Sequence, residues 1–284
     1  MKTRLVAFAG NTVAIEYSGA RPAGIVDFVC LYMPSGDYAD PAPHVTFRIA
    51  PGGRAGELAL YRDGELRYAG ACDACLAEQL LGNVGYALAD KSRGGLLFHA
   101  GALAWDGKGL LLPGPIGAGK TTLTMWLAVQ GLGGLTYLSD EMAFFPAGSH
   151  AMQPYTRPLN LKSGARAALK DWFDFEGQAD RLLSTAYGDL IPPELLSFAG
   201  PRAETPLSLI IFPRYAAGSE FELRPLSRAQ TGLALMERLV NARNLADHGF
   251  SEIVRLARSV RAYQMRYADF AQIGDRIERL LASS

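Results

Sequence analysis

Gly114-Pro115-Ile116-Gly117-Ala118-Gly119-Lys120-Thr121 follows the pattern G-x-x-x-x-G-K-[ST]. In that pattern backbone N–H groups cradle phosphate oxygens and the lysine reaches the terminal phosphates. Glycines at 114, 117 and 119 let the chain turn tightly, where a Cβ would obstruct the approach of phosphate. Pro115 has no N–H and is not one of the donors. Lys120 is placed to hold the β- and γ-phosphates and the Thr121 hydroxyl to ligate Mg²⁺, while the start of a helix near Lys120 adds its positive end. With Ile116, Ala118 and Thr122 completing the stretch, the chemistry implied is binding of ATP with Mg²⁺.

Such a loop works only between a strand and a helix. Gly109–Leu112 is a short apolar run that predicts a buried strand, and Leu123, Trp126, Leu127 and Gln130 recur at helical spacing, with Gly131 at the expected C-cap. Asp106-Gly107 between Leu97–Trp105 and Lys108–Leu112 predicts an antiparallel hairpin running directly into the loop. With those two residues as the turn, facing residues sum to 213, which puts His99 opposite Gly114 at the mouth of the loop.

An acid follows soon after. Leu135–Leu138 predicts a strand ending in Ser139-Asp140-Glu141, so the helix makes a βαβ unit whose strands carry Lys120 and Asp140 at their carboxyl ends, where ligands bind. Twenty residues separate Lys120 from Asp140, which leaves room for one helix and one strand. That spacing points to the kinase-like branch of phosphate-loop proteins.

Phe98-His99-Ala100-Gly101-Ala102, the loop at 114–121 and Asp140-Glu141 together resemble the C-terminal kinase domain of HPr kinase/phosphorylase, and more specifically the smaller HPr kinase-related families. The resemblance covers about residues 95–145. It implies an α/β fold of that type, a mixed sheet flanked by helices. It also implies a serine-kinase-like phosphotransferase in which Lys120 binds phosphate, Thr121 and Glu141 serve the metal, Asp140 accepts the acceptor's proton and His99 assists. The chain departs from the family in carrying Glu141 for the usual second Asp and Thr121 for the usual Ser. A counterpart of the downstream Gly-rich segment with a metal-binding carboxylate is not found.

Composition bounds the rest. The 284 residues, 49% apolar and 20% charged, suit a globular protein with ample core. Lys plus Arg and Asp plus Glu both number 28, so no global field draws the chain to nucleic acid or a membrane. No run approaches a membrane span. Cys30, Cys72 and Cys75 lack the further ligands of a zinc site; reduced thiols and the nucleotide motif together suggest the cytoplasm.

Residues 1–72 read as a small β-rich module, with Val6–Ala9, Val13–Tyr17, Val26–Tyr32 and Val45–Ile49 as strands and Asp63-Gly64 as a hairpin turn. Residues 73–284 read as the kinase-like domain, opening on a helix from Cys75 to Ala89. Farther on, Arg157 and Lys162 are expected on a loop before a helix Ala165–Phe173, residues 174–205 as irregular, Leu207–Phe212 as a strand presenting Arg214, and Tyr263–Tyr267 as another. The acceptor expected is a hydroxyl of a peptide, a protein or a small molecule. The alternative is a nucleotide-operated scaffold or ATPase switch that transfers nothing, and homo-oligomerisation is open.

Overall fold

A computed structural model of the chain describes residues 1–36, 42–202 and 204–282. Strands β1 (Lys2–Phe8) and β2 (Asn11–Tyr17) form a hairpin, and β3 (Val45–Pro51) pairs with β2 in parallel. A parallel pair needs a crossover, and helix α1 (Ala20–Cys30) supplies it. This corrects the strand expected at Val26–Tyr32. Its apolar run buries Ile25, Val26, Val29 and Cys30, a helical and not an alternating spacing. Strands β4 (Leu58–Arg62) and β5 (Glu65–Gly70) complete a five-stranded sheet, turning at Asp63-Gly64 with φ of 50° and 87°, as expected of a two-residue hairpin turn.

Helix α2 (Asp73–Asp90) covers this sheet, with Leu76, Leu80, Val84 and Leu88 buried in the same apolar core as Val13, Ile15 and Phe47. At its first turn Cys72 and Cys75 are joined by a disulfide, where reduced thiols were expected. The i, i+3 spacing at a helix start brings the two side chains onto one face. Cys30 is free and buried.

The central sheet is built on β6 (Gly95–Trp105) and β7 (Lys108–Pro113), paired from Trp105↔Lys108 to Ala100↔Pro113. The register therefore has the expected sum, turning at Asp106-Gly107 with φ of 46° and 74°. The ladder stops one pair short of His99 and Gly114, and His99 pairs instead with Met142. Helix α3 (Lys120–Gln130) ends on Gly131 in the left-handed conformation. Strand β8 (Thr136–Ser139) and strand β9 (Met142–Pro146) lie along the same edge of β6, against its C-terminal and N-terminal halves respectively. Both β7 and β8 run antiparallel to β6, so the unit β7–α3–β8 has parallel strands with β6 between them.

Beyond lie β10 (Ala151–Pro154), β11 (Leu159–Lys162), α4 (Ser163–Leu169), β12 (Leu183–Ser184) and β13 (Gly188–Ile191). The helix expected over Ala165–Phe173 is thus earlier and shorter, and 174–205 carries two strands of a small sheet ordered β11-β13-β12; residue 203 of that stretch lies outside the described residues. β14 (Thr205–Tyr215), β15 (Glu222–Pro225), α5 (Arg228–Met236), α6 (Phe250–Ser259), β16 (Arg261–Tyr267) and α7 (Gly274–Ala282) finish the chain.

The large sheet is a mixed one, ordered β10-β9-β6-β7-β14-β16-β15, with β8 on β6. Alternation along its strands separates two cores. Leu110, Leu112, Leu209 and Ile211 pack with α3 and α7, whereas Leu111, Ile210 and Phe212 pack with α5 and α6. β14 is parallel to both β7 and β16, so three strands deliver their carboxyl ends to one edge, at Pro113, Tyr215 and Tyr267. No helix among the described residues is long and apolar enough to cross a membrane.

Candidate functional site

The loop between β7 and α3 is held by the neighbouring parallel strands. The Tyr215 N–H donates to the Ala118 carbonyl at 3.1 Å, and the Tyr267 hydroxyl to the Gly119 carbonyl at 3.4 Å. Gly119 has φ 87°, and a Cβ there would meet the Tyr267 hydroxyl at 2.6 Å, so both backbone sign and space require glycine. One turn into α3, Thr124 lies against Gly101 of β6 so closely that any side chain at 101 would strike its hydroxyl. That contact fixes the helix on the strand that carries His99.

Lys120 is 6% exposed, and its Nζ donates to the Pro115 carbonyl at 3.0 Å. Burial lowers its pKa, opposed by the charges of Glu141 and Asp140. The ammonium is thus folded under the loop with both carboxylates nearby. Next along, the Thr121 hydroxyl lies 3.1 and 3.3 Å from the two Asp140 carboxylate oxygens.

Asp140 and Glu141 sit where β8 passes into β9, and Glu141 takes φ 89°, a strained value for a residue with a side chain. Ser139 braces the bend, its hydroxyl within 2.6 Å of the Met142 carbonyl and 2.8 Å of that of Tyr155. Arg157, 5% exposed, donates from Nε to the Asp140 carbonyl at 3.1 Å and reaches within 3.9 Å of Glu141 through Nη2. The Tyr137 hydroxyl donates to the Arg157 carbonyl and the Thr156 hydroxyl to that of Leu138. The bend therefore directs the two acids to different places.

Asp140 is 1% exposed and turned to Thr121. Burial pushes its pKa up to about 6, and the Glu141 charge adds to the rise, against Arg157, the Thr121 bond and Lys120. Glu141 meets His99, Nε2 to carboxylate oxygen at 3.2 Å. Its pKa is lowered to about 2, first by the hydrogen bond from His99, with Arg157 helping against its partial burial. Side by side, burial raises one carboxyl's pKa and the hydrogen bond from His99 lowers the other's.

A cleft of ≈ 800 Å³ opens over these groups. Gly117, Gly119, Lys120, Thr121 and Thr122 form its floor with Ile116, while His99 and Glu141 stand on its wall. Asp140, Pro115 and Ala118 are not on the wall. Of the expected metal pair, Thr121 touches Asp140 and Glu141 touches His99, and both line the cleft. Lys162 also borders the cleft, whereas Arg214 is exposed outside it. Tyr215, Tyr267, Phe270 and Trp172 are lining residues not anticipated from the sequence; the first two are aromatic ends of strands parallel to β7, which was their available signal.

Among the described residues no cluster of three or more His, Cys, Asp and Glu could hold a metal by itself. Mg²⁺ is commonly bound by one or two protein oxygens together with substrate phosphates and waters. The Thr121 hydroxyl and Asp140 carboxylate are a hard-oxygen pair beside the loop, and they fit such an ion.

No protein-family model matches the chain, and no curated protein matches it. Among solved structures, it is similar to the HPr(Ser) kinase/phosphatase from Coxiella burnetii, at 12% identity over 66% of this chain and 88% of that one, with a TM-score of 0.34.

Proposed function

We propose that the chain is an ATP- and Mg²⁺-dependent phosphotransferase that moves the γ-phosphate to a hydroxyl. The observation that carries this reading is the set assembled around one cleft: a loop of G-x-x-x-x-G-K-T sequence, Thr121 on its floor bonded at 3.1 Å to the buried Asp140 behind it, and His99 bonded to Glu141 at 3.2 Å on its wall. The site has the parts that phosphoryl transfer uses, where positioning and charge stabilisation supply most of the catalysis.

Loop N–H groups bind the phosphates, and Lys120 leaves the Pro115 carbonyl to hold the terminal ones. Mg²⁺ bound with the nucleotide would neutralise phosphate charge, and Thr121 and Asp140 are the residues that would hold it. Glu141, kept ionised and oriented by His99, faces the cleft and aligns the acceptor hydroxyl. It receives the proton as transfer completes, a late event in a loose transition state, so a strongly basic carboxylate is not required. His99 fixes the carboxylate, and Arg157 fixes the bend that presents it. The assignment of Asp140 as base, expected from the resemblance, gives way in this proposal to a role at Thr121, because Asp140 is buried off the cleft wall.

Incubating γ-labelled ATP and Mg²⁺ with desalted host lysate, and separately with its small-molecule fraction, tests the proposal. Label on a discrete product with wild type and not with Lys120→Ala supports it. ATP bound but no labelled product would leave a nucleotide-operated switch and overturn the transferase.

A further inference from the structure

Strand β11 is the edge of the β11-β13-β12 sheet, and its backbone polarity can be worked out residue by residue. The Ser163 N–H donates to the Tyr187 carbonyl at 2.9 Å, and 163 and 187 continue the register in which Leu161 faces Asp189 and Leu159 faces Ile191. Hydrogen-bonded and non-hydrogen-bonded pairs alternate in an antiparallel ladder. Ser163, Leu161 and Leu159 therefore point their backbone groups at β13, while Asn160 and Lys162 point theirs away. The Lys162 carbonyl is the N-cap carbonyl of α4 and accepts that helix's first bond, so the open edge consists of the Asn160 N–H and C=O and the Lys162 N–H.

That free edge borders the cleft. Asn160, Leu161 and Lys162 all line it, and consecutive strand residues, whose side chains alternate between faces, can share one cavity only along the strand's edge. Three residues separate Asn160 from Arg157, at most about 10 Å of chain, and Arg157 holds the Asp140 carbonyl at 3.1 Å. The edge thus leads to the acids.

Resting on the kinase reading above, we infer that the acceptor is an extended polypeptide that adds as a strand to β11 and presents a serine or threonine hydroxyl to Glu141. The N–H and C=O of Asn160 and the N–H of Lys162, set at the two-residue repeat of a strand, match another backbone. A small polyol has no such repeat and would leave them unpaired. Asn160 is half-buried and Lys162 exposed, so the edge is open to a chain arriving from solvent. Strand addition fixes the peptide's register and thereby its hydroxyl.

Lys162 has φ −65°, which proline adopts without strain, and its N–H faces outward. Lys162→Pro therefore removes one edge donor without breaking the sheet, and Lys162→Ala is the matched loss of charge. The probe is a degenerate nonapeptide mixture with one central serine, set beside glycerol, inositol and ribose, each with γ-labelled ATP and Mg²⁺. The expected result is labelled peptide, with Lys162→Pro labelling at least tenfold less than Lys162→Ala through a raised peptide KM. Equal labelling by the two variants would overturn strand addition, as would label confined to the polyols, and in both cases the kinase reading survives. Label on no probe, and on nothing in host lysate, would overturn the kinase reading and this inference with it.

Discussion

The Thr121 hydroxyl and the Asp140 carboxylate are bonded at 3.1 Å, across the gap between the first turn of α3 and the end of β8. This contact joins the nucleotide loop to the acid-bearing strand. It predicts that Thr121→Val, which keeps shape and removes the hydroxyl, raises the Mg²⁺ concentration for half-maximal transfer at least tenfold. Thr121→Ser should stay near wild type. Metal titrations of the transfer rate check this, and equal requirements in Val and Ser variants would remove Thr121 from the metal's surroundings.

Asp140 carries a stability signature that can be read without substrate. Its pKa in the folded protein is raised to about 6 by burial, so its contribution is full below the unfolded carboxylate value and is lost as pH rises through about 6. Asp140→Asn should therefore leave the Tm of the nucleotide- and metal-free protein nearly unchanged at pH 4 and raise it at pH 8, by roughly 2–4 °C per kcal/mol recovered. Thermal melts at the two pH values decide the matter. A variant no more stable than wild type at pH 8 would contradict the assigned burial cost.

Glu141→Gln removes the anion that aligns the acceptor. A loss of about 10²–10⁴ in kcat, with the ATP affinity within a few-fold of wild type, is expected from single-turnover rates and nucleotide titration. His99→Ala should lose less, since the carboxylate remains. The converse order would make His99 the proton acceptor.

Gly119→Ala meets both a left-handed φ of 87° and the Tyr267 hydroxyl. A destabilisation of about 1–3 kcal/mol is expected from the backbone alone, together with loss of ATP binding. Tyr267→Phe added to it should restore only part of the stability, because the φ remains. Full recovery in the double variant, measured by denaturant unfolding, would show that the hydroxyl clash was the whole effect.

The parts legible in the sequence were the local ones. Asp106-Gly107 fixed the register of β6 and β7, and Gly131 ended α3, because turn and cap residues act over a few positions. Val26 lies in a helix and not in the expected strand, because an apolar β-branched run suits either element and only the parallel pairing of β2 with β3 demands the crossover. The different destinations of Asp140 and Glu141 were not legible either. They depend on the bend between β8 and β9, which is braced by Ser139, Tyr137 and Arg157 over separations of up to 20 residues. The aromatic wall of Tyr215, Tyr267 and Phe270 depends on strand order, which spacing along the chain does not encode.

The proposed transfer requires that the cleft over the Gly114–Thr121 loop bind ATP with Mg²⁺. Calorimetric titration of the wild-type protein with ATP, with and without Mg²⁺, tests it most directly against Lys120→Ala. One site per chain is expected, weakened when Mg²⁺ is chelated and at least tenfold weaker in Lys120→Ala. No binding by wild type, or the same affinity in both proteins, would contradict it.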